Sequence, residues 1–242
     1  MKSKLHFLAL LAIIPLCVSS CDVTGQNRVK GSGNVSKEER SVGEFKTLSV
    51  KGSMNVYVTQ GPVKSAVIEA EDNIIPYILL EKEGDELVVR TKPHTSIDTK
   101  RDMKVYLTTP DLSDIRLAGS GDIKLENKIS NRDAIEVSVT GSGNVSGALN
   151  APHMKGSISG SGNMSLSGET KELEIGIAGS GDFKGEDLMA ETANINIAGS
   201  GNANVHASVT LDAKIAGSGN VYYKGSPQVS SKVVGSGSVI KH

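Results

Sequence analysis

Through the second half of the chain, aliphatic and polar residues alternate on both sides of a recurring tetrapeptide, Gly-Ser-Gly followed by Asp, Asn or, once, Ser. Copies begin at Gly119, Gly141, Gly160, Gly179, Gly199, Gly217 and Gly235, at steps of 22, 19, 19, 20, 18 and 18 residues. Two places before the first glycine stand Leu117, Val139, Ile158, Ile177, Ile197, Ile215 and Val233, every one a branched aliphatic. Four places after it stand Ile123, Val145, Met164, Phe183, Ala203, Val221 and Val239. The places between are polar or small, so one set of side chains points inward and the other outward from short strands that meet at a glycine corner.

A unit of this length cannot bury its own apolar face. Stacking equivalent strands from successive units makes a continuous ladder and a continuous core. The pattern therefore predicts an all-β, parallel β-solenoid, a single-stranded β-helix-like fold of 18–22-residue Gly-Ser-Gly-Asn/Asp repeats. Residues 111–242 would form the regular repeats. Residues 45–110 would form less regular coils, with alternating segments at 45–50, 54–58, 66–70, 87–90 and 103–107. Asp72 to Leu80 reads as one helical turn interrupted by Pro76, and Lys92 to Arg101 as a polar loop. Another Gly-Ser-Gly-Asn copy starts at Gly31, and Gly52-Ser53-Met54-Asn55 looks like a degenerate one.

At the corner, the two glycines suit a sharp bend, and the fourth residue can bond to backbone or to its counterpart one coil away. The structural corner residues are thus Gly119, Gly121, Asp122, Gly141, Gly143, Asn144, Gly160, Gly162, Asn163, Gly179, Gly181, Asp182, Gly199, Gly201, Asn202, Gly217, Gly219 and Asn220. A column of calcium ligands is the alternative use of those oxygens. It is disfavoured because Asp122 and Asp182 alone carry charge and stand three coils apart.

The first residues change the picture from a free domain to an exported one. Met1 to Ser20 combines Lys2 and Lys4, an apolar stretch from Leu5 to Leu16 and small residues before Cys21, the plan of a secretory leader. Val18-Ser19-Ser20-Cys21 resembles the lipobox of bacterial lipoproteins, which implies that Cys21 becomes the lipidated first residue. Domains are then a signal peptide at 1–20, a lipid anchor and flexible tether at 21–44, and the solenoid at 45–242. The expected location is the cell envelope, lipid-anchored, with the outer membrane favoured over the inner and the face open. Removing Lys2 and Lys4 takes the formal charge from −1 to −3, with lysines scattered, so no nucleic-acid footprint is present.

Candidate chemistry is sparse. His94, His153, His206 and His242 show no metal-ligand spacing, there is no cysteine pair, and no Gly-x-Ser-x-Gly elbow occurs. No glycine is followed by lysine, which removes the phosphate-binding loop. The reading is therefore of no catalytic residues, no metal and no cofactor. Polysaccharide lyases and hydrolases built on β-helices are the catalytic alternative, but their sites need convergent acids or bases, often with aromatic platforms. Aromatics make up only 3% of this chain. The row just before the corner, Ala118, Thr140, Ser159, Ala178, Ala198, Ala216 and Val234, is small and would form a flat strip.

The order of Phe45-Lys46-Thr47-Leu48-Ser49-Val50, Val56-Tyr57-Val58-Thr59-Gln60-Gly61, Glu71-Asp72-Asn73-Ile74-Ile75-Pro76, Gly84-Asp85-Glu86-Leu87-Val88-Val89, Pro110-Asp111-Leu112, the Gly-Ser-Gly series and Gly225-Ser226-Pro227 resembles the bacterial head GIN domain family, auto-transporter adhesin head domains. The resemblance implies a β-solenoid on an exported, often lipidated, protein. It carries over no functional residue. The expected function is a non-enzymatic adhesin or surface binding module, with a periplasmic scaffold or lipid- or glycan-binding lipoprotein as the alternative. Expected partners are the membrane through the anchor, a glycan or envelope protein, and a second copy, because an open solenoid end leaves strand edges unpaired.

Overall fold

The computed structural model describes residues 27–242. The leader and Cys21 lie outside the described residues. The regular structure is nearly all strand, 70% against 1% helix, stacked as parallel coils into a β-solenoid of about 7 turns.

Register follows the repeat. Leu117 sits beside Val139, Val139 beside Ile158, and the column continues through Ile177, Ile197 and Ile215 to Val233. Its first six members are at most 3% exposed, whereas Val233, on the last coil, is 38% exposed. A second column, from Ile123 and Val145 through Met164, Phe183 and Ala203 to Val221, is fully buried. Large and small side chains alternate where the columns meet. At Gly156 a β-carbon would lie 2.6 Å from Ile175 Cδ1, so this glycine makes room for its neighbour on the next coil.

The corners are built by backbone contact. Each first glycine has a positive φ, from +114° at Gly141 to +139° at Gly119. Its carbonyl takes two N–H groups from the coil above: Ser142 and Gly143 donate to Gly119 O at 2.9 and 3.0 Å, and the pattern recurs at every later corner. The fourth residues form a ladder. Asn144 Nδ2 donates to Asp122 Oδ1 at 2.8 Å, Asn163 Nδ2 to Asn144 Oδ1 at 2.9 Å, and Asn202 Nδ2 to Asp182 Oδ1 at 3.1 Å. These oxygens also accept backbone N–H groups, among them those of Asp182, Asn202, Asn220 and Ser238.

The first coils depart from simple order. Thr47–Gly52 lies between Glu86–Thr91 and Asp114–Gly119, so the chain lays one coil, steps back beneath it, and then climbs past it to begin the repeats. Gly52 is a true corner: Ser120 and Gly121 donate to its carbonyl. Gln60 ties this crossing together. Its Nε2 donates to Pro110 O at 3.0 Å and Ser130 O at 2.9 Å, while its Oε1 accepts from Ser130 N at 2.7 Å. Gln60→Ala is expected to cost roughly 2–3 kcal/mol, the net worth of three such bonds, read by denaturant titration.

Several sequence expectations need correction. The tether reading fails for residues 27–40: Asn27–Lys30 pairs with Thr95–Asp98, and Val35–Arg40 runs antiparallel to Ala66–Glu71. Their lack of hydrophobic periodicity reflects solvent exposure, since an edge strand packs little of itself against the core. Thr95–Asp98 is likewise a short strand inside the supposed polar loop. The helical turn shrinks to a 3₁₀ segment, Ile75–Tyr77, and the chain is extended again from Ile78. The Gly31 copy is no coil corner. It clamps the turn after Ala66–Glu71, with Gly33 N donating to Glu71 Oε1 at 2.7 Å and Ser32 N to Asn73 Oδ1 at 2.9 Å. The solenoid is also not parallel throughout, because Val35–Arg40 and Ile78–Glu83 close its first end as antiparallel edges.

Candidate binding face

Outward-pointing side chains on the strands that enter the corners form two parallel rows. Nearest the corner runs Ala118, Thr140, Ser159, Ala178, Ala198, Ala216 and Val234, all exposed. Two places upstream run Arg116, Ser138, Ser157, Gly176, Asn196, Lys214 and Lys232. Register holds each residue beside its counterpart on the next coil, as with Ala178 and Ala198 or Lys214 and Lys232. Because most of these side chains are short, the sheet surface between the rows is a shallow, open groove of about 560 Å³.

Its lining is almost wholly apolar. Ala178, Ala198, Ala216 and Val234 supply one wall, while the short side chains of Ser157 and Asn196 and the bare backbone of Gly176 keep the other side low. Lys214 and Lys232 stand at the end nearest the last coil. Lys214 Nζ lies 3.7 Å from Asp212 Oδ1. The groove thus combines an apolar track along the solenoid axis with cationic groups at one end, an arrangement suited to an elongated amphiphile or an apolar ridge.

Beside it runs a polar depression of similar size, lined by Glu136, Lys155, Glu172, Glu174, Asn194 and Asp212, among others. His153 Nδ1 is 3.0 Å from Glu172 Oε2 across neighbouring coils. The two depressions differ because the side chains at one row are small and those at the other long and charged. The sequence showed the small row as a flat strip; it gave no signal that the upstream row would dip to make a groove.

Elsewhere, Tyr57 and Tyr106 stack at 5.0 Å on adjacent coils, with Lys124 Nζ 6.0 Å from the Tyr57 ring. Among the described residues, no group of three or more His, Cys, Asp and Glu side chains is placed to hold a metal ion, and no helix is long and apolar enough to cross a membrane. Cys21, the one residue read as a modification site, lies outside the described residues.

The family model described as "Putative auto-transporter adhesin, head GIN domain" matches residues 44–227. Among solved structures, a "putative adhesin" from Bacteroides fragilis is 25% identical with a TM-score of 0.83, over 88% of this chain and 100% of that one. A "putative lipid binding protein" from Parabacteroides distasonis is 26% identical with a TM-score of 0.72, over 89% of this chain and 100% of that one. A "putative adhesin" from Parabacteroides merdae, 23% identical with a TM-score of 0.66 over 89% and 99% of the two chains, shares the fold. No curated protein matches the chain by sequence.

Proposed function

The chain belongs to the head GIN domain family, and on that premise we propose that it is a non-enzymatic binding head, an adhesin exported to the bacterial cell envelope and held there by a lipid on Cys21. The observation that carries this reading is the apolar groove on the outer sheet face. It is displayed on a surface whose every coil is fixed by backbone hydrogen bonds to the next, so it is organised before any ligand arrives and little ordering cost accompanies binding. The leader and lipobox supply the route to the envelope. Acyl chains on Cys21 would hold the head at the membrane at about 0.8 kcal/mol per buried methylene.

The test is made on intact cells. External protease and a membrane-impermeant label are expected to reach the head, and cells lacking the chain are expected to lose attachment to a glycan- or protein-coated surface. A head shielded from both reagents, together with unchanged attachment, would overturn the adhesin reading.

A second reading has its own support. The groove's apolar track with Lys214 and Lys232 at one end suits an acyl chain with an anionic head group, and one structural relative is described as lipid-binding. A lipid-binding lipoprotein predicts that a fluorescent fatty acid binds the soluble head with a micromolar dissociation constant, about −8 kcal/mol. Lys214→Ala together with Lys232→Ala would then weaken that probe at least tenfold. A fatty acid that does not bind, or binds the double variant equally well, removes this reading.

A further inference from the structure

The two ends of the solenoid are finished differently. At the first end, the outermost of the described strands are Val35–Arg40 and Ile78–Glu83, each antiparallel to its one partner among the described residues. They carry Lys37, Glu38, Glu39 and Arg40, and Glu81, Lys82 and Glu83. Charge on an edge strand is a general device against addition of another strand. At the other end, among the described residues, Gln228–Gly235 pairs only with Ala203–Gly217, and Ser238–Lys241 only with Asn220–Lys224. Here the outer edge takes no partner strand among the described residues and carries Val229, Val233, Val234 and Ile240, which are 38, 38, 63 and 42% exposed.

We propose that two copies of this chain join tail to tail, by antiparallel pairing of their Gln228–Gly235 strands about a two-fold axis at Ser231. The side-chain order of that strand is what selects a second copy. Val229, Ser231 and Val233 continue the core columns of Leu211, Ala213 and Ile215. An axis at Ser231 sets Val229 opposite the second copy's Val233, Ser231 opposite Ser231, and Val233 opposite Val229. The two flanking columns then close on each other, valine against valine, and the middle one ends serine against serine. On the outer face, Lys232 falls opposite Ser230 and Gln228 opposite Val234, so no like charges meet. Shifting the register by one residue would turn core positions of one copy against solvent positions of the other.

The axis stands perpendicular to the sheet, so both outer faces point the same way. If the proposed function holds, the dimer presents two grooves to one surface and gains avidity without new contacts. The dimer itself does not depend on that reading, and its test involves no ligand.

The experiment uses residues 27–242, which contain all the described strands and their continuous core. Cysteine occurs in the sequence only at positions 17 and 21, so this segment has none. Sedimentation is expected to show a mass that doubles with rising concentration. Ser231→Lys, which sets two ammonium groups face to face, is expected to leave a monomer with an unchanged circular dichroism spectrum. Ser231→Asp is expected to do the same, and mixing the two variants to restore the dimer. Ser231→Cys is expected to oxidise to a covalent dimer, while Ser161→Cys, exposed in the middle of the solenoid, is not. A monomer at every concentration, a dimer indifferent to Ser231→Lys, or an open-ended polymer would each overturn the proposal. A dimer in solution together with unchanged attachment of cells lacking the chain would instead count against the adhesin reading alone.

Discussion

Gly179→Ala is expected to unfold the middle of the solenoid, at a cost of about 3–5 kcal/mol, whereas Gly176→Ala, three residues away on the same strand, is expected to be neutral or to stabilise by about 0.4–1 kcal/mol. At Gly179 the backbone has a φ of +125°, and an added β-carbon would stand 2.3 Å from the carbonyl oxygen of Gly160 on the coil below. That oxygen also accepts from Ser180 N and Gly181 N, at 2.9 and 3.1 Å, so retreat would break the bonds that keep the coils in step. At Gly176 nothing lies within 4 Å of the same added carbon. Stability in a solenoid is close to a sum of coil and interface terms, so damage at one corner should be felt first by its neighbours. Hydrogen exchange would read this directly: amides of the corners at 160, 179 and 199 should lose protection in the alanine variant before those near residue 50. Equal effects at Gly176 and Gly179 would show that composition, not coil contact, sets the glycine requirement.

Phe183→Ala is expected to cost about 3–5 kcal/mol through a cavity that the stack cannot close. Phe183 is fully buried, with Met164 and Ala203 in register on the coils either side. Its ring fills the space that Gly185 leaves, where a β-carbon would lie 2.3 Å from Phe183 Cε1. The strand spacing is fixed by backbone bonds, so the coils above and below cannot move in to fill the gap. Chemical denaturation should show a lower midpoint with little change in slope. A loss under about 1 kcal/mol would mean that the columns are loosely packed.

The parts of the fold that were legible in the sequence are those in which one coil predicts the next. The Leu117-to-Val233 column could be written down in advance because identical spacing from a glycine corner gives identical height and face in the stack. The parts that were not legible depend on contacts that no repeat announces. Glu86–Thr91 stacks beneath Thr47–Gly52, which inverts chain order, and Gln60 bridges three separate segments. Both depend on pairing at long sequence separation. The Gly31 copy shows the opposite failure, since there the same four residues bind side chains of Glu71 and Asn73, with backbone bonds to Asp98 and Asp72, and not the carbonyl of a corner glycine one coil below. Strands Asn27–Lys30 and Val35–Arg40 were hidden because edge strands expose most of their side chains and so lack the inward row that marks a strand. For the binding face, the small row was visible, but the groove arises from two rows of different height, which requires knowing that they lie side by side on one surface.

The most direct test of the central claim, that the outer apolar groove is the adhesive surface, is attachment of cells carrying the double variant Ala178→Glu, Ala198→Glu. Both positions are exposed, so stability should change by no more than about 0.5 kcal/mol each. Two carboxylates in an apolar track should nonetheless abolish attachment, with the same amount of head on the surface. Attachment at the level of the unaltered chain would contradict the account.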